Sequence, residues 1–249
     1  MTQQLHVRLT PGYFFSTTID FRMSLPKANP EITYEVLTED HFEEAAHILT
    51  STFVNGNPVS LVLKLPYEAE LTYNRLLCRN YAKDGVSVVA IDKELNKVIG
   101  AAVGTIVKGT DPNAMLDEFS LMPDEVKPYY KPVGPLFGKL ERCIFESSKF
   151  LNNPDCKILK SYKISVHPDY EGRGIGTKLA DLRRELGEKK DVKFISVFTT
   201  ALGSQILYKK LGYEDIGEIF YKDYTYNDEK PFAGITCPPS AKAMVLQLY

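Results

Sequence analysis

Tryptophan is absent from the 249 residues, and cysteine appears only four times. Cys78, Cys143, Cys156 and Cys237 are scattered, with no Cys-x-x-Cys and no histidine pair nearby, so the spacing of a zinc site or a disulfide scaffold is missing. They read as reduced thiols, and no metal is expected. Neither sign of charge dominates: 30 Lys and Arg face 32 Asp and Glu, giving a net charge of -2 and a pI near 6.1. That removes the general electrostatic case for nucleic acid or an anionic membrane surface. No apolar run approaches the ~18 residues of a membrane span, and Met1-Thr2-Gln3-Gln4 opens no secretory signal. The expectation is a cytoplasmic protein whose partners are small molecules, working as a monomer or homodimer.

What the chain does have is enough apolar residue, 44%, to build a sizeable core. The expected organisation is one domain over 31–249 behind an N-terminal extension, 1–30, where alternating Leu5, Val7 and Leu9 meet Pro11, Gly12, Pro26 and Pro30. A strand Ile32 to Leu37 leads to Thr38, a helix cap for Glu39 to Phe53, and Pro66 opens a helix to Tyr81. Strands follow at Val86 to Ile91 and Val98 to Val107, the second carrying Gly100 and Gly104. Those glycines point to close backbone approach by a ligand or a packed neighbour. Residues 111–135 hold five prolines with Phe119, Tyr129 and Tyr130; they read as an insertion, either a binding lid or filler. A helix Gly138 to Leu151, strands at Ile158 to Val166 and Phe194 to Thr199, and a last strand Ala241 to Leu248 complete the chain.

The period switches from two to about 3.6 across His167-Pro-Asp-Tyr-Glu-Gly-Arg-Gly-Ile-Gly-Thr177, ahead of Leu179, Leu182 and Leu186. Glycine accepts positive φ and lets a ligand approach the backbone, and the first amides of a helix lack internal acceptors. Such a junction suits an anion. Gly172, Gly174, Ile175, Gly176 and Thr177 can offer amides, and Arg173 a charged bond. A Walker P-loop requires Gly-Lys-Ser/Thr, but Gly176-Thr177-Lys178 reverses the order. A dinucleotide fingerprint requires Gly-x-Gly-x-x-Gly, which Gly172-x-Gly174-x-Gly176 does not supply. On the glycines alone, a plain strand-to-helix turn stays open.

Thirty residues on, Ser204-Gln-Ile-Leu-Tyr208-Lys-Lys-Leu-Gly212-Tyr213 follows a β-rich run, with Ser204 and Tyr208 one helical turn apart on one face. The glycine turn and this helix together resemble the GNAT N-acetyltransferases, most strongly between Lys160 and Tyr213. Their patterns are Arg/Gln-x-x-Gly-x-Gly/Ala after a Val-x-Pro strand end, and Ser-x-x-x-Tyr-x-x-x-Gly-Tyr/Phe. The resemblance implies an α/β fold: a mixed, mostly antiparallel twisted sheet of about seven strands, flanked by helices, with two parallel strands splayed at the acyl-CoA site. It implies acetyl-CoA as acyl donor, held at the glycine loop and by the strand Ile164, Ser165, Val166, with an amide there as oxyanion donor. Glu171 departs from the family's Arg or Gln, so no phosphate-binding role transfers to it.

Transfer of acetyl to an amine needs a proton removed from a group of pKa near 10.4 and one returned to a thiolate near 8.5. By resemblance Tyr208 is the acid. Phe53-Val-Asn-Gly-Asn57-Pro58 is similar to the Phe-x-x-x-Glu-Pro-Leu segment of invertebrate arylalkylamine N-acetyltransferases, which acetylate dopamine, tyramine, octopamine and serotonin. That places Phe53, Asn57 and Pro58 at the amine, but Asn57 cannot be the base. Thr200 and Ser204 match two family hydroxyls and either relay protons or cap the helix. His167, Glu68, Asp117 and Glu118 are further candidates, His167 also fitting a structural role. The expected activity is acetylation of a small primary amine; the alternatives are a CoA-binding module without transfer, and an enzyme for polyamines or peptide amines.

Overall fold

The computed structural model describes residues 30–109 and 122–249. The proposed extension therefore lies almost wholly outside the described residues, as do Asp117, Glu118 and Phe119. Seven strands form one sheet: β1 (Ile32–Val36), β2 (Val88–Asp92), β3 (Lys97–Lys108), β4 (Lys157–Val166), β5 (Val192–Thr199), β6 (Glu214–Phe220) and β7 (Ser240–Gln247). Their spatial order is β1-β2-β3-β4-β5-β7-β6, and every pair is antiparallel except β4 with β5. This is the mixed, mostly antiparallel sheet expected. The parallel pairing ends at Ser161 opposite Val197, although β4 continues to Val166 and β5 to Thr199. Beyond that point the strands diverge and leave a wedge.

One face of the sheet carries α1 (Phe42–Gly56), α2 (Pro58–Leu63), α3 (Tyr67–Tyr81), α4 (Lys127–Tyr130), α5 (Val133–Phe145) and α6 (Ser148–Leu151). The other carries α7 (Ile175–Glu188) and α8 (Leu202–Lys210). Alternation along β2 decides the partition: Val89 and Ile91 join the first core, Val88 and Ala90 the second. Fully buried Leu49, Leu77 and Leu136 each stabilise the first core by roughly 1.5–3 kcal/mol.

Several boundaries differ from expectation. Thr38 opens a 3-10 turn, Glu39–His41, before α1, and its amide donates to His41 Nδ1 at 3.3 Å. The helix expected over 138–151 begins earlier, at Val133, because Pro135 falls in its first turn where no amide donor is needed. It stops at Phe145, where both the amide and the hydroxyl of Ser147 turn back to the Ile144 carbonyl and close the end. The later part of the 111–135 stretch is thus helical and packs on the core through Tyr130 and Val133.

A bulge in the β3–β4 pairing matters most for the site. Val103 faces Lys163 and Gly104 faces Ser161, so Tyr162 is left without an opposite residue. Lys160, Tyr162 and Lys163 all reach the α1/α3/α5 face, while Ser161 faces α7 and α8. Gly104 is required here, since a Cβ would overlap the Arg183 guanidinium and the Lys160 carbonyl. Gly100 likewise lies against Ile175 and Leu179. Both glycines serve close packing.

Candidate active site

From β4 the chain passes through His167 into a 3-10 turn, Pro168–Tyr170, and then to the glycines. His167 caps that turn, its Nδ1 accepting from the Asp169 amide at 3.2 Å. Tyr170 is fully buried and its hydroxyl donates to Asp92 Oδ2 at 2.7 Å, which fastens the loop to β2. Gly172 and Gly174 follow at φ 74° and 77°, a region closed at low cost to any residue with a Cβ, and open space lies beside both. Gly174 caps α7, whose first internal bond runs from the Lys178 amide to the Gly174 carbonyl. The amides of Ile175, Gly176 and Thr177 therefore have no helical acceptor.

A groove of about 640 Å³ runs from this loop along Ile164, Ser165 and Val166 and ends against Thr200, Ser204 and Tyr208. It occupies the wedge between β4 and β5. Gly172, Gly174, Ile175, Gly176 and Thr177 all line it, and so does the exposed Glu171. Arg173 does not; its guanidinium donates to the Asp169 carbonyl at 3.2 Å and lies 5.2 Å from the Tyr170 ring centroid, bracing the loop from outside.

At the deep end, the Tyr208 hydroxyl lies 3.1 Å from Ser161 Oγ, and burial holds its pKa above the usual tyrosine value. The phenol stays protonated across the neutral range. Ser204 donates to the Ala201 carbonyl at 2.8 Å. Thr200 precedes the cap residue Ala201, and its Oγ1 accepts from Asn57 Nδ2 at 2.8 Å. The other end of Asn57 accepts from the amides of Val59 and Ser60, at 3.0 and 3.3 Å, capping α2. One side chain thus joins the start of α2 to the strand end before α8.

A second pocket adjoins the groove on the α1/α5 side and shares Phe53, Asn57, Tyr162, Lys163, Phe198 and Thr200 with it. Phe137 and Tyr130 add to its aromatic wall. Two ammonium groups also reach it. Lys163 is bonded to Glu70 and, at 2.8 Å, to Asn74, and stands 4.5 Å from the Phe53 ring centroid. Tyr130 donates to the other oxygen of Glu70 at 2.9 Å. Lys160 pairs with Glu141 at 2.6 Å, and burial pushes the Glu141 carboxyl up despite that lysine.

The structure thus brings together the glycine loop, Ile164 to Val166, Phe53, Asn57, Thr200, Ser204 and Tyr208. Pro58 starts α2 and lines neither cavity, and Glu68 is exposed on α3 away from both. Sequence reasoning missed Lys160, Lys163, Ser161 and Arg183. A signal existed for three of them: two lysines inside a β-branched strand, and an arginine four residues after Leu179 on the inward face of α7; Ser161 carried none.

Residues 140–215 match the acetyltransferase (GNAT) domain family. The chain has the GNAT fold. Solved GNAT-fold structures extend the likeness beyond that segment. Arylalkylamine N-acetyltransferase 2 from Aedes aegypti is 22% identical, with a TM-score of 0.71 over 88% of this chain and 99% of that one. A mosquito arylalkylamine N-acetyltransferase like 5b is 24% identical at a TM-score of 0.70, over 88% and 100%. The Drosophila melanogaster polyamine N-acetyltransferase, which forms N-acetylagmatine, is 19% identical at 0.67, again over 88% and 100%.

Proposed function

We propose that the protein transfers an acetyl group from acetyl-CoA to the primary amine of a small arylalkylamine. The observation that carries this reading is the meeting of two cavities at the end of the β4–β5 seam, one led by an amide-lined glycine loop and the other walled by aromatics. The loop fits a pyrophosphate: three amides without helical acceptors and two glycines whose backbones stand open. The edge of β4 beyond Ser161 has unbonded backbone groups for the pantetheine amides, and Tyr208 supplies a proton at the sulfur. Thr200 and Ser204 orient the water that takes the amine's proton. The protein works in the cytosol as a monomer or homodimer, with the donor and one amine as its partners.

The aryl class is favoured over polyamines by the pocket wall. Among the described residues lining it there is no carboxylate, while Phe53, Tyr130, Phe137, Tyr162 and Phe198 are present beside two lysines. Among those described residues a second cation on the acceptor would find no anion. In a panel followed by free CoA thiol, tyramine-like amines should exceed agmatine and spermidine in kcat/KM by about tenfold or more, roughly one uncompensated charge contact. Equal rates would remove the aryl assignment. Stabilisation by CoA with no thiol release from any amine would instead favour a binding module, a reading to which Asn57 in place of a carboxylate lends support.

Glu171 gives a check on the donor loop. Its exposed carboxylate lines the groove that the pyrophosphate would enter. Glu171→Gln should lower the CoA dissociation constant about threefold by calorimetry, the scale of one exposed charge contact. Weaker binding would show that the carboxylate serves the loop rather than opposing the anion.

A further inference from the structure

Arg183 is 3% exposed on the inward face of α7 and has no carboxylate partner among the described residues. Its Nε donates to the Val86 carbonyl at 3.0 Å, its Nη1 to Ser161 Oγ at 2.6 Å, and its Nη2 has no partner among the described residues. The missing Cβ of Gly104 leaves the space it fills. A lone cation at that depth is expensive to keep. Its direction of bonding suggests what it does.

A guanidinium only donates. Because Ser161 Oγ accepts from Arg183, its own hydrogen is free to point at the Tyr208 oxygen 3.1 Å away. That oxygen then accepts, and the tyrosine hydrogen is left to point elsewhere, into the groove that Tyr208 lines. We propose that Arg183 is a positioning residue that, through Ser161, aims the Tyr208 proton at the leaving sulfur and balances the phenolate that remains. The inference rests on Tyr208 being the acid. When the tetrahedral adduct collapses, the C–S bond breaks with its electron pair on sulfur. The Tyr208 proton moves to that sulfur, and the phenolate recovers through solvent the proton shed by the amide nitrogen. Ser161 donates to the phenolate throughout, and Arg183 supplies the opposite charge.

Few other groups compete. The ring of Tyr208 packs in a cluster with Val86, Leu159, Ala180, Val197 and Met244, and with Tyr213 at 4.8 Å between centroids. Burial keeps the Tyr213 hydroxyl protonated; Tyr208 adds to that, and Arg183 acts on Tyr213 as well, together with Arg184 and Asp181. Arg183 is the one charged group acting on Tyr208 among the described residues.

The test compares Ser161→Ala, Arg183→Met and Arg183→Lys, with Tyr208→Phe as reference, by kcat against pH at saturating substrates alongside thermal melts. Arg183→Met should lower kcat at neutral pH about tenfold, within the range of a weakened general acid. Its basic limb should move upward, since loss of the cation makes the phenol harder to ionise, and the KM for acetyl-CoA should hold. Ser161→Ala should shift the same way by less, and Arg183→Lys should keep the native limb. Folded Ser161→Ala and Arg183→Met with native kcat and limb would reduce Arg183 to packing. Should Arg183→Met not fold, Ser161→Ala and Arg183→Lys decide on the same criteria. A fully active Tyr208→Phe overturns the acid assignment itself. A slow Tyr208→Phe beside a native Ser161→Ala profile overturns only the role of Arg183.

Discussion

Tyr208→Phe lowers kcat by about a hundredfold or more with little change in the KM for acetyl-CoA, the loss expected when a positioned general acid is removed. The phenol lines the groove at its deep end, and burial keeps it protonated there. A purely structural hydroxyl predicts something else. Losing one buried hydrogen bond to Ser161 removes about 1 kcal/mol of stability, visible in a melt and small against the activity effect. A folded variant within about threefold of native kcat would fall short of that general-acid range and leave Tyr208 as core packing.

Glu70→Ala destabilises the protein by about 3–5 kcal/mol, because it strands a buried ammonium. Glu70 is fully buried and holds Lys163, Asn74 and Tyr130 together, and Asn74 in turn donates to Thr50 at 2.9 Å. Removing the carboxylate leaves Lys163 with one neutral acceptor and the rings of Phe53 and Tyr73. Urea unfolding should show the loss directly, and the melting midpoint should fall by roughly 10 °C for a chain of this size. Replacing both partners, Glu70→Leu with Lys163→Met, should restore most of it, since the penalty is the unpaired charge and not the missing pair. A double variant as weak as the single one would place the energy in Asn74, Tyr130 and Thr50 instead.

The parts of the site legible in the sequence are those fixed by neighbours along the chain. The period change after Val166 and the glycines at 172, 174 and 176 specify strand, turn and helix locally, and the anion loop followed from them. Ser204 and Tyr208 are singled out by likeness to the GNAT helix pattern, and helical spacing puts them on one face. Lys160 and Lys163 did not, because their common side depends on the bulge opposite Tyr162, which only the pairing with β3 creates. Asn57 shows the same limit differently. Its sequence position disclosed a missing carboxylate, whereas its use as a joint between α2 and Thr200 depends on a residue 143 positions away. Arg183 lay in plain sight on an apolar face, but its meaning required knowing that Ser161 faced α7.

The β4–β5 seam makes the sheet two smaller sheets, β1 to β4 and β5 to β7, joined in main-chain bonding only as far as Ser161 and Val197. A molecule lying in the wedge touches both halves, so it is a strut as much as a reactant. Whatever fills the wedge raises the free energy needed to part the halves by RT ln(1 + c/Kd), with c its free concentration. Occupancy of the groove is then written into the cohesion of the sheet, whose halves are hardest to part while the wedge is filled.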